Sequence, residues 1–194
     1  MPPDSVPAPA RRAEAEVDPI FPDRWSPRAF QPDPIPEPQI RSLLEAARWA
    51  PSCYNEQPWL FCLAATPDAR ERVLAALVER NRLWARRAPL LILLAARRTF
   101  TATGKLNRHA GFDAGAAWLS LALQARRLGL HAHAMAGFNQ DRALAAAGLD
   151  RTDWDILAAI AVGRHGDPAD LPDDLRALET PNTRKPLADI IRWL

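Results

Sequence analysis

The stretch APSCYNEQPW, residues 50–59, decides how the chain is organised. It contains two prolines, an asparagine, a glutamine, a serine and a cysteine, and it has no glycine. It lies between a segment with helical periodicity and a continuous apolar run, so it connects two buried elements. Loops that are held by buried elements often carry binding residues. We therefore expect part of a binding site in this loop.

A helix is predicted before the loop, over residues 37–50. Apolar side chains recur there at intervals of three and four residues, at Ile40, Leu43, Leu44 and Ala47. One face of the helix is therefore apolar. Pro38 suits the first turn, where a missing N–H costs nothing, and Pro51 ends the helix because its ring excludes the helical conformation at the preceding residue. The run WLFCLAA after the loop predicts a buried strand at 58–65.

The same patterns predict helices and strands along the rest of the chain. Further helices are expected at 66–88, 107–128 and 139–148, and further strands at 90–96, 131–137 and 156–163. Strands separated by helices are typical of a doubly wound parallel α/β fold. Such folds usually hold phosphate in a glycine-rich turn, but the sequence contains neither GxGxxG nor GxxxxGK[ST]. A bound phosphate would therefore need cationic side chains.

Length and composition limit the class of protein. The 194 residues suit one domain, which we place at 19–194, after a flexible arm at 1–18 that is rich in proline, alanine and charge. The net charge of +2 is too small to indicate nucleic-acid binding. No apolar run reaches the ~20 residues of a membrane span, and no signal segment precedes the domain. We expect a cytoplasmic protein that does not bind membranes.

Five segments, in order along the chain, resemble motifs of the FMN-dependent nitroreductase family. The loop at 50–59 is similar to the family's APSxxNxQPW, and RWSPRAF at 24–30 resembles its N-terminal Arg-x-Ser-x-Arg-x-Phe. The other three segments are the long helical stretch at 107–130, HAMAGF at 133–138 and NTRKPLADII at 182–191. The five segments are spread along most of the range 19–194.

The resemblance implies an α+β fold, in which helices flank a mainly antiparallel central sheet, instead of the parallel fold that the alternation favours. It also implies a homodimer with shared flavin sites, FMN as cofactor, and NADH or NADPH as electron donor. The implied reaction transfers hydride from NAD(P)H through flavin N5 to a small electron-poor acceptor, such as a nitroaromatic or a quinone, in ping-pong order. Neither the physiological acceptor nor the choice between NADH and NADPH follows from the sequence.

Other functions stay open at this stage. Similar proteins include enzymes that fragment flavin, remove halogens or oxidise azolines. A non-catalytic flavin-binding dimer would keep the same fold with a blocked hydride path. In a plain dimeric interaction protein, the arginines of the motifs would be surface charge.

The resemblance assigns cofactor-binding residues in two positively charged segments. Arg24, Trp25 and Ser26 belong to the first, in which Arg24 and Ser26 hold the phosphate and ribityl end, while Arg28 lies near N1 and O2 of the ring. Alternation along an extended segment would let these polar side chains face one ligand, although three solvated polar residues would show the same pattern. In the second segment Arg184 binds the phosphate, with Lys185 as a helper.

Further residues are assigned to the flavin ring by resemblance. Asn81, Met135, Ala136 and Gly137 would lie along the ring of their own subunit, and Gly137 suits close backbone approach. Pro51, Ser52, Cys53, Asn55 and Gln57 would reach the flavin of the other subunit. Cys53 stands where many relatives have serine, so its hydrogen bond is not assured. His131 and His133 alternate on one strand face, but two histidines alone do not make a metal site, and we predict none.

Overall fold

Four strands form the centre of the structure, a computed structural model that describes residues 11–194. The strands are β1 Trp59–Leu63, β2 Leu90–Arg97, β3 His131–Met135 and β4 Trp154–Gly163. They pair in the order β1-β2-β4-β3, and every pair is antiparallel. The antiparallel α+β fold implied by the resemblance is therefore confirmed, and the parallel fold favoured by alternation alone is wrong.

Seven α-helices are present among the described residues. They are α1 Ile20–Asp23, α2 Glu37–Arg48, α3 Pro67–Ala76, α4 Glu79–Ala85, α5 Ala110–Arg127, α6 Gln140–Ala147 and α7 Asp173–Arg176. Short 3₁₀ turns occur at Cys53–Asn55, Pro168–Asp170 and Leu187–Ile190. None of the helices formed by residues 11–194 is both long and apolar enough for a membrane span.

Two apolar layers lie on opposite faces of the sheet, so the central strands are buried on both sides. One layer packs α2 and α5 on the sheet, and it includes Leu43, Leu121, Ile92, Ile160 and Val162. The other layer packs α3, α4 and α6, and it includes Phe30, Trp84, Leu91, Leu93 and Leu144. The side chains of β2 alternate between the two layers, which explains why this strand is apolar throughout.

The single helix predicted over 66–88 is wrong, because the structure has two helices there. Leu77 and Val78 between α3 and α4 have extended backbone angles. Leu77 pairs with Phe138 as an isolated bridge, and the Val78 N–H donates to the Gly137 carbonyl at 3.0 Å. Pairing with the turn after β3 thus outweighs the local helical preference.

Other predicted boundaries move by a few residues. α2 ends at Arg48, α5 begins at Ala110 instead of 107, and β3 ends at Met135, so Ala136 and Gly137 lie beyond the strand. The Asn139 side chain caps α6 as expected, since its oxygen accepts from the Arg142 N–H. A cap of this kind satisfies one of the free N–H groups of the first turn.

Residues 11–18 have no helix or strand, yet they touch the end of the chain. The Leu187 N–H donates to the Glu14 carboxylate at 3.0 Å. Residues 1–10 of the predicted flexible arm lie outside the described residues, so the flexible arm at 1–18 stays a prediction.

Candidate functional site

The two positively charged segments meet at one open cleft of about 630 Å³. Arg24 and Arg184 both line the cleft, and Arg24 Nη1 lies 3.4 Å from Ser26 Oγ. The pKa of Arg24 is lowered, first by burial and then by the positive charges of Arg184 and Arg11. Three of the predicted phosphate-binding residues are therefore brought together, although about 160 residues separate their two segments in the sequence.

Arg184 is exposed, and among residues 11–194 its side chain donates hydrogen bonds only to the backbone carbonyls of Asn182 at 3.4 Å and Thr183 at 2.9 Å. Within residues 11–194, neither Arg24 nor Arg184 forms an ion pair with a carboxylate. Arginines without acidic partners suit a phosphate, whose oxygens match the planar guanidinium donors.

A second concavity of about 350 Å³ adjoins the same arginine. Arg24 and Ser26 form its polar side, and its remaining lining comes from β3 and α5. These residues are Trp118, Leu119, Ala122 and Ala134. An apolar wall beside a cation is what a ligand with a charged end and a flat ring requires.

Glu179 holds the backbone of the first charged segment. No pattern in the sequence singled out this residue. Its side chain is 1% exposed, and its carboxylate accepts from the N–H groups of Arg28 and Ala29, each at 2.8 Å. His165 Nε2 lies 3.4 Å from the same carboxylate. Burial alone would raise the pKa of Glu179, but His165 and the two backbone N–H groups lower it below its ordinary value. The ionised carboxylate thus fixes the position of Arg28.

Histidines pack against the same segment. The Trp25 ring meets His131 and His165 edge-on, with centroid distances of 5.8 and 5.2 Å, and His133 Nδ1 lies 2.8 Å from the Pro27 carbonyl. The pKa of His131 falls to about 4, mainly through burial and then through Arg126 and His165. His165 is part of this cluster. Through this packing, Trp25 anchors the segment at 24–30.

Asn81 and Gly137 lie in contact, as expected for two residues along one ligand edge. Asn81 Nδ2 donates to the Gly137 carbonyl at 3.1 Å. A Cβ atom at Gly137 would lie 2.7 Å from Asn81 Nδ2 and 2.9 Å from Val78 Cγ2, so any other residue there would require Asn81 or Val78 to move. Of the neighbouring predicted residues, Met135 is buried in the core at 3% exposure, whereas Ala136 is exposed.

The loop at 50–59 has an unusual backbone. Tyr54, Asn55 and Gln57 have φ angles of 52, 57 and 51°. Residues other than glycine seldom adopt this backbone region. Such strain persists only where surrounding contacts hold it, and it is frequent at functional sites. Asn tolerates this conformation better than Tyr or Gln. The related feature of the sequence is that this tight turn contains no glycine, the residue that most readily adopts positive φ angles.

Local hydrogen bonds hold the strained loop. The Gln57 N–H donates to Ser52 Oγ at 3.0 Å, and Gln57 Nε2 donates to the Asn55 carbonyl at 3.1 Å. The Cys53 N–H donates to the carboxylate of Asp113 in α5 at 3.1 Å, and Asp113 is another buried residue that sequence patterns did not single out.

Part of this loop faces outward within the chain. Pro51, Tyr54, Asn55 and Gln57 are exposed, while Ser52 and Cys53 are half-buried. Among residues 11–194, residues 51–58 of the loop form hydrogen bonds to Asp113, to Thr101 and to the Arg97 N–H of β2, and none of these bonds joins the loop to the Arg24 cleft. The single chain therefore brings together Arg24, Ser26 and Arg184, and separately Asn81 and Gly137, but it does not unite the loop with the cleft.

Comparison with known proteins gives a consistent result. The family model described as the nitroreductase family matches residues 22–83 and 76–164. A solved structure, an oxidoreductase containing FMN, is 40% identical to this chain, covers 94% of it, is itself covered to 93%, and superposes with a TM-score of 0.87.

Curated relatives match over shorter segments. A putative NADH dehydrogenase/NAD(P)H nitroreductase of Streptomyces coelicolor is 30% identical over 86 residues, which are 44% of this chain and 44% of the relative. A chloronitrobenzene nitroreductase of Comamonas testosteroni is 39% identical over 66 residues, which are 34% of this chain and 29% of the relative. The matches thus span less than half the length of these two relatives.

Proposed function

Because this chain belongs to the nitroreductase family, we propose that it is an FMN-dependent oxidoreductase driven by NADH or NADPH. Its acceptor would be a small electron-poor molecule such as a nitroaromatic or a quinone. When bound, FMN supplies the hydride chemistry between donor and acceptor. The observation that carries the proposal is the cleft where Arg24 and Arg184 meet without a carboxylate partner.

The residues of the cleft suit the phosphate end of FMN. Arg24 and Arg184 supply forked donors, and Ser26 adds a hydroxyl group beside Arg24. The apolar concavity between β3 and α5 begins at the same two residues of the first segment. A mononucleotide could therefore place its phosphate on the arginines and extend toward the sheet.

The residues around Gly137 suit the ring end. The Val78 N–H and Asn81 Nδ2 donate to the Gly137 carbonyl, and these bonds keep the turn after β3 rigid. Gly137 itself adds no side chain to the turn. Arg28, held through its backbone by Glu179, would provide positive charge near N1 and O2 of the ring. Fixed charge of this kind stabilises negative charge that develops during a reaction.

We further propose a homodimer in which the loop at 50–59 reaches the flavin site of the other subunit. Among residues 11–194, its exposed residues Asn55 and Gln57 form hydrogen bonds only within the loop, so a second copy would bring them to a cleft. With one open ring face per site, donor and acceptor would bind in turn. The kinetics would then be ping-pong.

The test is flavin binding followed by activity. Purified protein should be yellow, release FMN on heating, and oxidise NADH or NADPH in a panel of nitroarenes and quinones. A protein that stays colourless after incubation with FMN would contradict the proposal. Bound FMN without NAD(P)H oxidation for any acceptor would instead indicate a flavin-binding protein.

Arg184→Ala tests the phosphate contact. A charge-assisted hydrogen bond is worth ~1.5–3 kcal/mol, so FMN affinity should fall roughly 10- to 100-fold, measured by quenching of flavin fluorescence. The urea midpoint should hardly change, because among residues 11–194 the side chain donates hydrogen bonds only to backbone carbonyls. Arg184→Lys should restore only part of the affinity, since the fork is lost. Arg72→Ala, an exposed change on α3, is the matched control.

A further inference from the structure

Residues from the segments 11–17 and 183–190 both line the 630 Å³ cleft. Five cationic side chains line it, those of Arg11, Arg12, Arg24, Arg184 and Lys185, against the single carboxylate of Glu14. That carboxylate accepts from the Leu187 N–H. Among residues 11–194, none of the five cations forms an ion pair. The described part of the cleft therefore has an excess of positive charge.

Arg11 is attached directly to the first charged segment. Its Nη1 donates to the Arg24 carbonyl at 2.8 Å, from 13 positions earlier in the chain. A guanidinium has five N–H donors, so this bond leaves donors for a ligand. The bond between Glu14 and Leu187 holds the same segment to the tail that carries Arg184. Arg11 is thus anchored between the two segments that hold the cleft.

The three guanidinium groups repel one another in the structure. Burial lowers the pKa of Arg11, and Arg184 lowers it further, while Asp23 opposes the change. Asp23, however, is bound to Arg126 at 2.8 Å. Arg11 and Arg184 likewise lower the pKa of Arg24 after burial. An arrangement of cations that is unfavourable alone becomes favourable around a dianion, whose charge offsets the repulsion.

We propose that Arg11 is a third arginine of the phosphate site and binds the phosphomonoester end of FMN with Arg24 and Arg184. The proposal rests on the proposed function. It adds a residue that lies before the first charged motif, in a segment without helix or strand. The segment at 11–17 then serves as one wall of the cofactor site.

Comparison of FMN with riboflavin tests the proposal, because the two differ only by the phosphate. Arg11→Ala should weaken FMN binding about 10-fold, as measured by quenching of flavin fluorescence, and should change riboflavin binding less than about 2-fold. Arg11→Lys should recover part of the loss. Arg72→Ala removes the same charge from exposed α3 and should leave both affinities unchanged. Inorganic phosphate should compete with FMN less strongly in Arg11→Ala than in the parent.

The outcomes separate this inference from the proposed function. Equal FMN affinity in Arg11→Ala and Arg72→Ala would overturn the role of Arg11 while leaving FMN binding intact. A matching loss of riboflavin affinity in Arg11→Ala would also overturn it, since the effect would then be structural. A parent protein that binds neither flavin would overturn the proposed function, and this inference with it.

Discussion

A few buried polar side chains fix the segment that carries Arg24 and Arg28. Glu179 binds two of its backbone N–H groups, His133 lies within hydrogen-bond distance of the Pro27 carbonyl, and His131 packs on Trp25. Each of these side chains either forms a hydrogen bond with the backbone of the segment or covers it, where folding has removed that backbone from water. The cations of the site are thus positioned by neighbours that need not touch the ligand.

His131 should make stability depend on pH. Its pKa is about 4 in the fold against 6.5 for an ordinary histidine, so the unfolded chain binds a proton more readily between these values. The free energy of unfolding should therefore fall as pH decreases from about 6.5 to about 4, by about 2 kcal/mol after allowance for solvent screening. The loss disappears above pH 6.5, where both states are neutral.

Two measurements check this expectation. NMR titration should give a pKa near 4 for His131. In urea, His131→Gln should lose less stability than the parent between pH 7 and pH 4.5. Titration of His131 near pH 6.5 would contradict the prediction.

At the scale of elements, the break between α3 and α4 links a helix to the sheet. The extended residues Leu77 and Val78 pair with the turn after β3, which places Asn81 against Gly137. An uninterrupted helix could not offer these backbone groups, because its own hydrogen bonds would use them. The break therefore builds the ring end of the proposed site.

Gly137→Ala should disturb this junction. The added Cβ would lie within 3.0 Å of Asn81 and Val78, and such overpacking costs about 1–3 kcal/mol. Urea unfolding should show a lower midpoint, and FMN affinity should fall because the turn is displaced. In the Asn81→Ala background the same change should cost about 1 kcal/mol less, since one close contact is gone. If Gly137→Ala costs the same stability in both backgrounds, contact with Asn81 is not the cause of the loss.

At the scale of the whole molecule, one apolar stripe on α5 faces outward. Phe112 is 81% exposed and Leu119 is 43% exposed, and Gly111 and Gly115 beside them have open space around the Cβ position. The spacing puts all four on one side of the helix. Tyr54, at 92% exposure, lies in the loop that binds Asp113 of the same helix. The stripe and the loop together suit contact with a second copy.

Phe112→Glu should convert a dimeric parent into monomers at micromolar concentration, because it places a charge within an apolar interface. Sedimentation velocity measures the change, and FMN affinity should fall with it if the loop of the second copy completes the site. Leu83→Glu on α4, at a position with 37% exposure, is the control and should remain dimeric. A parent that sediments as a folded, flavin-bound monomer would refute the shared site.

The sequence by itself determined most elements and selected most residues of the proposed phosphate site. Apolar periodicity located α2, α5 and the four strands within a few residues, because burial and local backbone preference act over short distances. The motifs selected Arg24 and Arg184, which the structure brings to one cleft, and Ser26, which lies beside Arg24. The missing glycine-rich turn predicts that side chains hold the phosphate, and this stays a prediction.

Only the tertiary structure decided the sheet order, the break at Leu77 and Val78, and the contacts of Glu179 and Arg11. Glu179 accepts a hydrogen bond from the N–H of Ala29, which lies 150 residues earlier in the sequence. No local sequence pattern indicates such a contact. Alternation of strands with helices favours a parallel sheet, and only the pairing of distant strands in the folded chain shows the antiparallel order. Long-range hydrogen bonds and burial are properties of the folded chain, which is why these features appear only there.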